Sequence, residues 1–127
     1  MKGALVIPLA INDRVGQKQV ASRGGSSIEV TATDRVADGL EFQLLEAQIR
    51  GELSRGALKN MVLPHLDPLR GAAIACSNPL VAAALMAHSA WELLPWVALY
   101  DKKQRAAIVT CVRYGEVEVE DLIEFDL

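Results

Sequence analysis

Hydrophobic and polar residues alternate with a period of two in residues 27–33, SIEVTAT. This alternation predicts a β-strand with one face in water. Residues 96–100 and 106–112 are apolar and predict two strands, and the polar stretch 101–104 between them favours a hairpin turn. Further strands are predicted at residues 4–11, 15–21, 71–77 and 116–120.

Residues 40–53 show a different spacing. Their apolar positions approximate the helical period, and Glu, Gln and Arg side chains fall on the opposite side. Asp34 or Asp38 is a suitable cap for the first turn. We therefore predict a helix over this segment, with Gly51 and Gly56 weakening its far end.

A second helix is predicted from the triplet Ser77-Asn78-Pro79, which offers a capping side chain followed by proline at the first helical position. This helix runs from Leu80 to about Trp91. It is rich in alanine and apolar nearly all round, so we expect it to be buried on most sides or to pack against a partner subunit.

The predicted element order is β-β-α-β-α-β-β-β within one domain that covers residues 1–127. Such an order favours an α+β fold: a two-layer sandwich whose mixed, mostly antiparallel sheet carries two helices on one face.

Residues 73–112 resemble part of a family of small prokaryotic α+β proteins known only as a domain of unknown function. In that family a strand leads to an alanine-rich helix that starts at Asn-Pro, then to a Leu-Pro pair and a hairpin. The matching residues here are Asn78, Pro79, Ala82, Leu85, Leu94 and Pro95. The resemblance implies homodimers and implies no catalytic residues.

Composition narrows the class of protein. Of the 127 residues 51% are hydrophobic, enough for a core, and the formal net charge is −3. An acidic chain is a poor sequence-independent binder of nucleic acid, so we expect no nucleic-acid partner.

The apolar runs are too short to span a bilayer, which predicts a soluble, cytoplasmic protein without a membrane partner. We expect no cofactor.

Few residues suggest chemistry. His65, Asp67 and His88 could meet a cysteine only through the tertiary fold, so we expect no metal site. Cys76 comes shortly before the predicted helix at Pro79, where the helix dipole can lower the pKa of a thiol.

The catalytic candidates are therefore Cys76, with His65, His88 and Asp67 as possible assistants. Ser77 and Asn78 are the candidates for ligand binding, because free N–H groups at a helix start can hold a small anion.

Two functional interpretations remain open. The first is a non-catalytic interaction or regulatory module that works as a homo-oligomer, most simply a dimer. Its basis is the apolar helix together with Trp91 and Trp96 in so small a domain. The second is an enzyme or binding domain for a small anionic ligand, with its site at residues 76–78.

Overall fold

One mixed β-sheet and one helix form the regular structure of the described residues, which are 18–21, 27–53 and 56–127 of the computed structural model. The elements are β1 (Lys18–Ala21), β2 (Ile28–Ala37), β3 (Leu40–Ile49), β4 (Gly71–Ala75), α1 (Pro79–Trp91), β5 (Trp96–Asp101), β6 (Ala106–Val112) and β7 (Leu122–Glu124).

The seven strands lie side by side in the order in which they occur along the chain. Strands β3, β4 and β5 are parallel, and every other neighbouring pair is antiparallel. A parallel pair needs a crossover connection. The chain between Ile49 and Gly71 makes the first crossover and α1 makes the second. The carboxyl ends of β3, β4 and β5 therefore meet at one edge of the sheet.

Each face of the sheet buries its own apolar cluster. The helix face lies under α1 and the first crossover, and the tail face lies under the C-terminal residues. The helix face includes Ile28, Val30, Leu45, Ile74 and Val97, packed with Val81 and Leu85 of α1. The tail face includes Phe42, Leu44, Ala73, Trp96, Ala98 and Val109. Because successive side chains of a strand point to opposite faces, the central strands are apolar on both sides.

The predicted two-helix α+β sandwich is wrong, because residues 40–53 form strand β3 and not a helix. Four consecutive residues, Phe42 to Leu45, are buried in this strand. A strand buried on both faces loses its period-two pattern, and the Leu, Glu, Gln and Ala content of β3 favours a helix. Pairing with β2 on one side and β4 on the other overrides that propensity.

The turn that precedes β3 also explains the error. Asp38 and Gly39 connect β2 to β3 with φ values of 52° and 79°. Two positive φ values are typical of a type I′ hairpin turn, for which Asp-Gly is a favoured pair. Asp38, which we considered as a helix cap, is thus a turn residue.

The other local predictions had mixed outcomes. The strand in residues 27–33, the helix after Asn78 and the hairpin across residues 101–104 are present. The strand predicted at residues 116–120 is wrong. That segment forms a turn in which the Asp121 carboxylate accepts a hydrogen bond from the Glu118 N–H at 2.8 Å, and β7 follows it. The strand predicted at residues 4–11 lies outside the described residues.

Gly71 of β4 packs tightly against Trp96 of the neighbouring strand β5. Trp96 is only 4% exposed, and its indole ring lies directly over the Gly71 backbone. A methyl group at position 71 would overlap the indole ring. Glycine is therefore required here by space, since its φ is ordinary for a strand.

We predict that Gly71→Ala lowers the free energy of unfolding by about 3 kcal/mol, because overpacking a rigid aromatic ring forces the backbone to shift. Urea denaturation followed by circular dichroism measures this loss. In a Trp96→Leu background the same substitution should cost much less, since the ring that it meets is gone. An equal cost in both backgrounds would contradict the proposed clash.

Candidate functional site

A cavity of about 510 Å³ opens at the edge where β3, β4 and β5 end. Its volume lies in the range of small-molecule sites, and ligands of parallel sheets commonly bind beyond the carboxyl ends of the strands. The lining residues are Glu29, Thr31, Glu46, Ala47, Gln48, Ala75, Cys76, Ser77, Tyr100, Lys102 and Leu127.

The strand register explains the shape of this cavity. Glu46 of β3 is paired with Thr31 on one side and with Ala75 on the other. Tyr100 belongs to β5, the next strand across. The methyl group of Ala75 therefore lies low between two long side chains, Glu46 and Tyr100, and forms the floor of a trough on the tail face.

Tyr100 is held in place as one wall of the trough. Its hydroxyl donates a hydrogen bond to the Phe125 carbonyl oxygen at 2.9 Å, and the two ring centroids are 5.0 Å apart. Phe125 also packs against Phe42, and the guanidinium of Arg35 lies 5.1 Å from its ring centroid. These contacts fix the C-terminal residues along the tail face and bring Leu127 to the cavity.

The charged side chains that line the cavity are Glu29, Glu46 and Lys102. Glu29 accepts a hydrogen bond from the Arg50 guanidinium at 3.1 Å, which balances its charge. Glu46 and Lys102 form no ion pair with any described residue. The lining side chains therefore include one carboxylate and one ammonium that have no ion-pair partner in the part of the chain that the structure describes.

Asp101 fixes the turn that carries Lys102. One carboxylate oxygen of Asp101 accepts the Gln104 side-chain amide at 3.1 Å, and the other accepts the Lys103 backbone N–H at 2.9 Å. These hydrogen bonds, first that from Gln104 and then that from Lys103, hold the pKa of Asp101 below its ordinary value. The same two hydrogen bonds fix the conformation of the turn that carries Lys102.

Of the three site residues predicted at the helix start, two line the cavity and one does not. Cys76 and Ser77 follow the end of β4 and line the cavity, and Cys76 also packs against the apolar cluster of the helix face. Asn78 is instead the N-cap of α1: its side-chain oxygen accepts the N–H groups of Leu80 at 2.9 Å and Val81 at 3.1 Å.

The cap consumes the backbone donors at the helix start. Pro79 has no N–H, and the Ala82 N–H donates to the Asn78 carbonyl at 2.9 Å. Anion binding by Ser77 and Asn78 stays a prediction, but the first four residues of α1 offer it no free N–H.

The structure does not bring the predicted catalytic group together. His65 and Asp67 precede β4, whereas Cys76 follows it. The thiol and its two predicted assistants therefore lie at opposite ends of that strand. His88 is ten residues beyond the helix cap, about 15 Å along the axis, and its imidazole lies 3.6 Å from the Glu92 carboxylate. The Cys76 thiol donates to the Asn78 carbonyl at 3.6 Å.

Asp67 belongs to an ionic cluster at the amino end of β4. The Arg70 guanidinium lies 3.1 Å from Glu41, 3.3 Å from Asp34 and 3.5 Å from Asp67. Beside it, the buried amide of Gln43 accepts the Asp67 N–H at 2.9 Å and donates to the Asp67 and Arg70 carbonyls. This cluster fastens the first crossover to β2 and β3.

Sequence reasoning missed most of the cavity lining. Glu29 and Thr31 had a visible signal, since they form the polar side of the alternating strand in residues 27–33. Glu46 was placed on a helix, so its position opposite Thr31 could not be foreseen. Lys102 was predicted only as part of the polar hairpin turn at residues 101–104.

The family comparison defines the class of protein. Residues 46–124, more than half of the chain, match the family described as CRISPR-associated protein (Cas_csx3). The chain belongs to this family. No curated protein is significantly similar to it. The expected membership of a small prokaryotic family is thus confirmed, but the family is named for its CRISPR association and not as a domain of unknown function.

The matched residues extend from the middle of β3 to the end of β7 and include Glu46, Cys76, Tyr100 and Lys102 of the cavity. Among the described residues, no helix is long and apolar enough to cross a membrane.

We predict that Asn78→Ala lowers the free energy of unfolding by about 1 kcal/mol, because two helix N–H groups lose their acceptor. Urea denaturation at neutral pH measures the loss. Ser77→Ala is the matched control, since its exposed hydroxyl makes no capping bond and should change stability by less than about 0.5 kcal/mol. Equal effects of the two substitutions would show that Asn78 is not the stabilising cap.

Proposed function

We propose that this CRISPR-associated protein is a non-catalytic interaction module that works as a homodimer in the cytoplasm. The observation that carries the proposal is the outer face of α1, which is apolar although it is exposed. On this face Leu80 is 55% exposed and Trp91 is 81% exposed.

Helical geometry separates the two faces of α1. Val81, Ala82, Leu85 and Ser89 are buried against the helix face of the sheet. Positions 80, 83, 84, 87 and 91 project to the opposite side, because each residue turns the helix by 100°. We call this set, Leu80, Ala83, Ala84, Ala87 and Trp91, the outer stripe.

The composition of the outer stripe supports an interface. A helix at the surface of a monomer ordinarily carries polar side chains on its outer face. Here the stripe has large apolar residues at its ends and alanines between them. Two copies related by a two-fold axis would place Leu80 of one helix near Trp91 of the other, and the alanines allow the backbones to approach closely.

The placement of the reactive side chains supports a non-catalytic role. In the described residues, Cys76, His65 and His88 lie on separate parts of the fold.

The aromatic residues near Pro95 are also divided, because Trp96 is buried in the tail face while Trp91 faces outward. The exposed Trp91 is thus a residue of the kind that interfaces favour.

We predict that Trp91→Lys and Leu80→Lys each convert a dimer of the 13.7 kDa chain into a monomer, because a buried unpaired ammonium opposes association. Light scattering after size exclusion measures the mass. Leu69→Lys is the matched control, since Leu69 is 79% exposed but lies on the first crossover, and it should leave the dimer intact.

Two results would contradict the proposed interface. A monomeric wild-type chain at high micromolar concentration would remove the homodimer. A dimer that persists in both variants would place the interface elsewhere. Far-ultraviolet circular dichroism should confirm that each variant is folded.

Nucleic acid is the other partner that a CRISPR-associated protein could meet. The net charge of −3 favours a protein partner, since sequence-independent nucleic-acid binding depends on Lys and Arg contacts to phosphates. Fluorescence anisotropy with labelled single-stranded RNA at low and physiological salt tests whether nucleic acid is a partner. Binding that survives at physiological salt would overturn the choice of a protein partner.

A further inference from the structure

A second, smaller cleft lies on the tail face, between the β2–β3 hairpin turn and the segment that leads into β7. Its volume is about 280 Å³. Its apolar lining residues are Ala37, Leu40, Val117, Leu122 and Ile123, and its acidic lining residues are Asp38, Glu116 and Asp121. No basic side chain of the described residues lines it. The cleft is therefore apolar inside and negatively charged at its rim.

Strand β7 borders this cleft and forms one edge of the sheet. No strand of the described residues pairs with its outer side. The Asp121 carbonyl and the Phe125 N–H are both bonded towards the β6 side, at 2.9 Å and 3.3 Å. Because backbone groups alternate between the two sides of an antiparallel strand, the N–H and C=O groups of Leu122 and Glu124 point outward. These four groups can bond to an added strand.

The charge around β7 restricts which strand can be added. Six of the eleven residues 116–126 are Asp or Glu, and none is Lys or Arg. In the described part of the chain, Asp126 is the one among them that forms an ion pair, with Arg105 at 3.0 Å. A second copy of β7 would bring like charges face to face, which opposes pairing between copies. A positively charged strand would complement this segment.

We propose that the outer edge of β7 and the adjoining cleft bind an extended, basic segment of another protein. The segment adds a strand beside Leu122 and Glu124 and inserts one apolar side chain into the cleft. Basic residues two positions before and after that side chain lie on the same face of the added strand. They therefore meet the acidic rim.

The shape of the site favours this occupant over a small molecule or a nucleic acid. A volume of about 280 Å³ is at the lower limit of small-molecule sites, and it suits a single inserted side chain. The acidic rim repels phosphates, which nucleic-acid binding must neutralise. The proposal does not rest on the homodimer, because the outer stripe belongs to α1 over the helix face.

The probe is the end-capped pentapeptide Arg-Thr-Val-Thr-Arg, added to the isotopically labelled full chain and followed by nuclear magnetic resonance. We expect the amide signals of Leu122 and Glu124 to shift and their hydrogen exchange to slow, while the signals of α1 stay unchanged. Arg-Thr-Ser-Thr-Arg should bind about fivefold more weakly, because it places no apolar side chain in the cleft. Glu-Thr-Val-Thr-Glu should not bind.

Backbone methylation of the peptide tests strand addition directly. Methyl groups are placed either on the amides of the first, third and fifth residues or on those of the second and fourth. One of these sets faces β7 in a paired strand and the other faces solvent. We expect one methylated peptide to lose binding and the other to keep it.

Substitutions in the protein test the acidic rim. The double variant Asp38→Asn with Glu116→Gln should weaken binding by about fivefold, because it removes two charges while Asn-Gly still suits the hairpin turn. Glu118→Gln is the matched control, since Glu118 is an exposed acid of the same segment but does not line the cleft. It should bind the peptide like the wild-type chain.

A second pair of variants tests the edge of β7. Glu124→Pro removes the outward N–H group and should abolish binding, whereas an edge strand tolerates proline at such a position. Glu124→Gln loses the same charge but keeps the N–H group, and should weaken binding by about twofold only. Circular dichroism checks that both variants are folded.

Three outcomes would overturn the proposal: the acidic and basic peptides bind equally or not at all, neither methylated set loses binding, or the control Glu118→Gln weakens binding as much as the double variant. Signals of Leu122 and Glu124 that shift with protein concentration alone would instead assign the edge to a second copy. Leu80→Lys, the monomeric variant, should bind the peptide unchanged. Failure of the homodimer and failure of the peptide site are therefore distinguishable.

Discussion

The fold depends on how its first crossover is attached to the sheet, and the amide of Gln43 makes that attachment. Gln43 is only 3% exposed, yet its side chain forms three hydrogen bonds to the backbone of Asp67 and Arg70. A buried polar group without its partners costs about 1–3 kcal/mol, so the amide binds the crossover in one position only. That position fixes Gly71 at the start of β4, and Gly71 in turn receives the Trp96 ring.

The arrangement of β4 determines where chemistry can occur. At its amino end the strand is surrounded by the ion pairs of Arg70 and by the Gln43 amide, which are committed to one another. At its carboxyl end Glu46 and Lys102 form no ion pair with any described residue, and Ala75 leaves space beside them. The polar groups at the amino end of this short strand thus pair with one another, whereas two charged side chains at its carboxyl end have no ion pair among the described residues.

Short sequence motifs correctly predicted the helix start and the hairpin turn, because interactions within a few residues determine both. Asn78 and Pro79 start α1 because a cap and a fixed φ act within one turn, and residues 101–104 close a hairpin for similar reasons. Strand β3 could not be predicted in this way. Its burial comes from β2 and β4 beside it and from the layers that cover the two faces of the sheet. The Asp38-Gly39 turn was the local signal that could have corrected it. Cys76 and Ser77 were found through the helix start, whereas Glu46 and Lys102 meet only through the strand register.

The order of the strands also has a consequence for the folding pathway. The β2–β3 and β5–β6 hairpins join neighbours across short turns, so they can form early from nearby residues. Strand β4 pairs with both hairpins only after two longer loops close, at a higher entropic cost. We therefore expect β4 to dock last, and until it does the apolar edges of β3 and β5 stay open to other chains. The docking of β4 is therefore the step on which the yield of folded protein depends, as well as its stability.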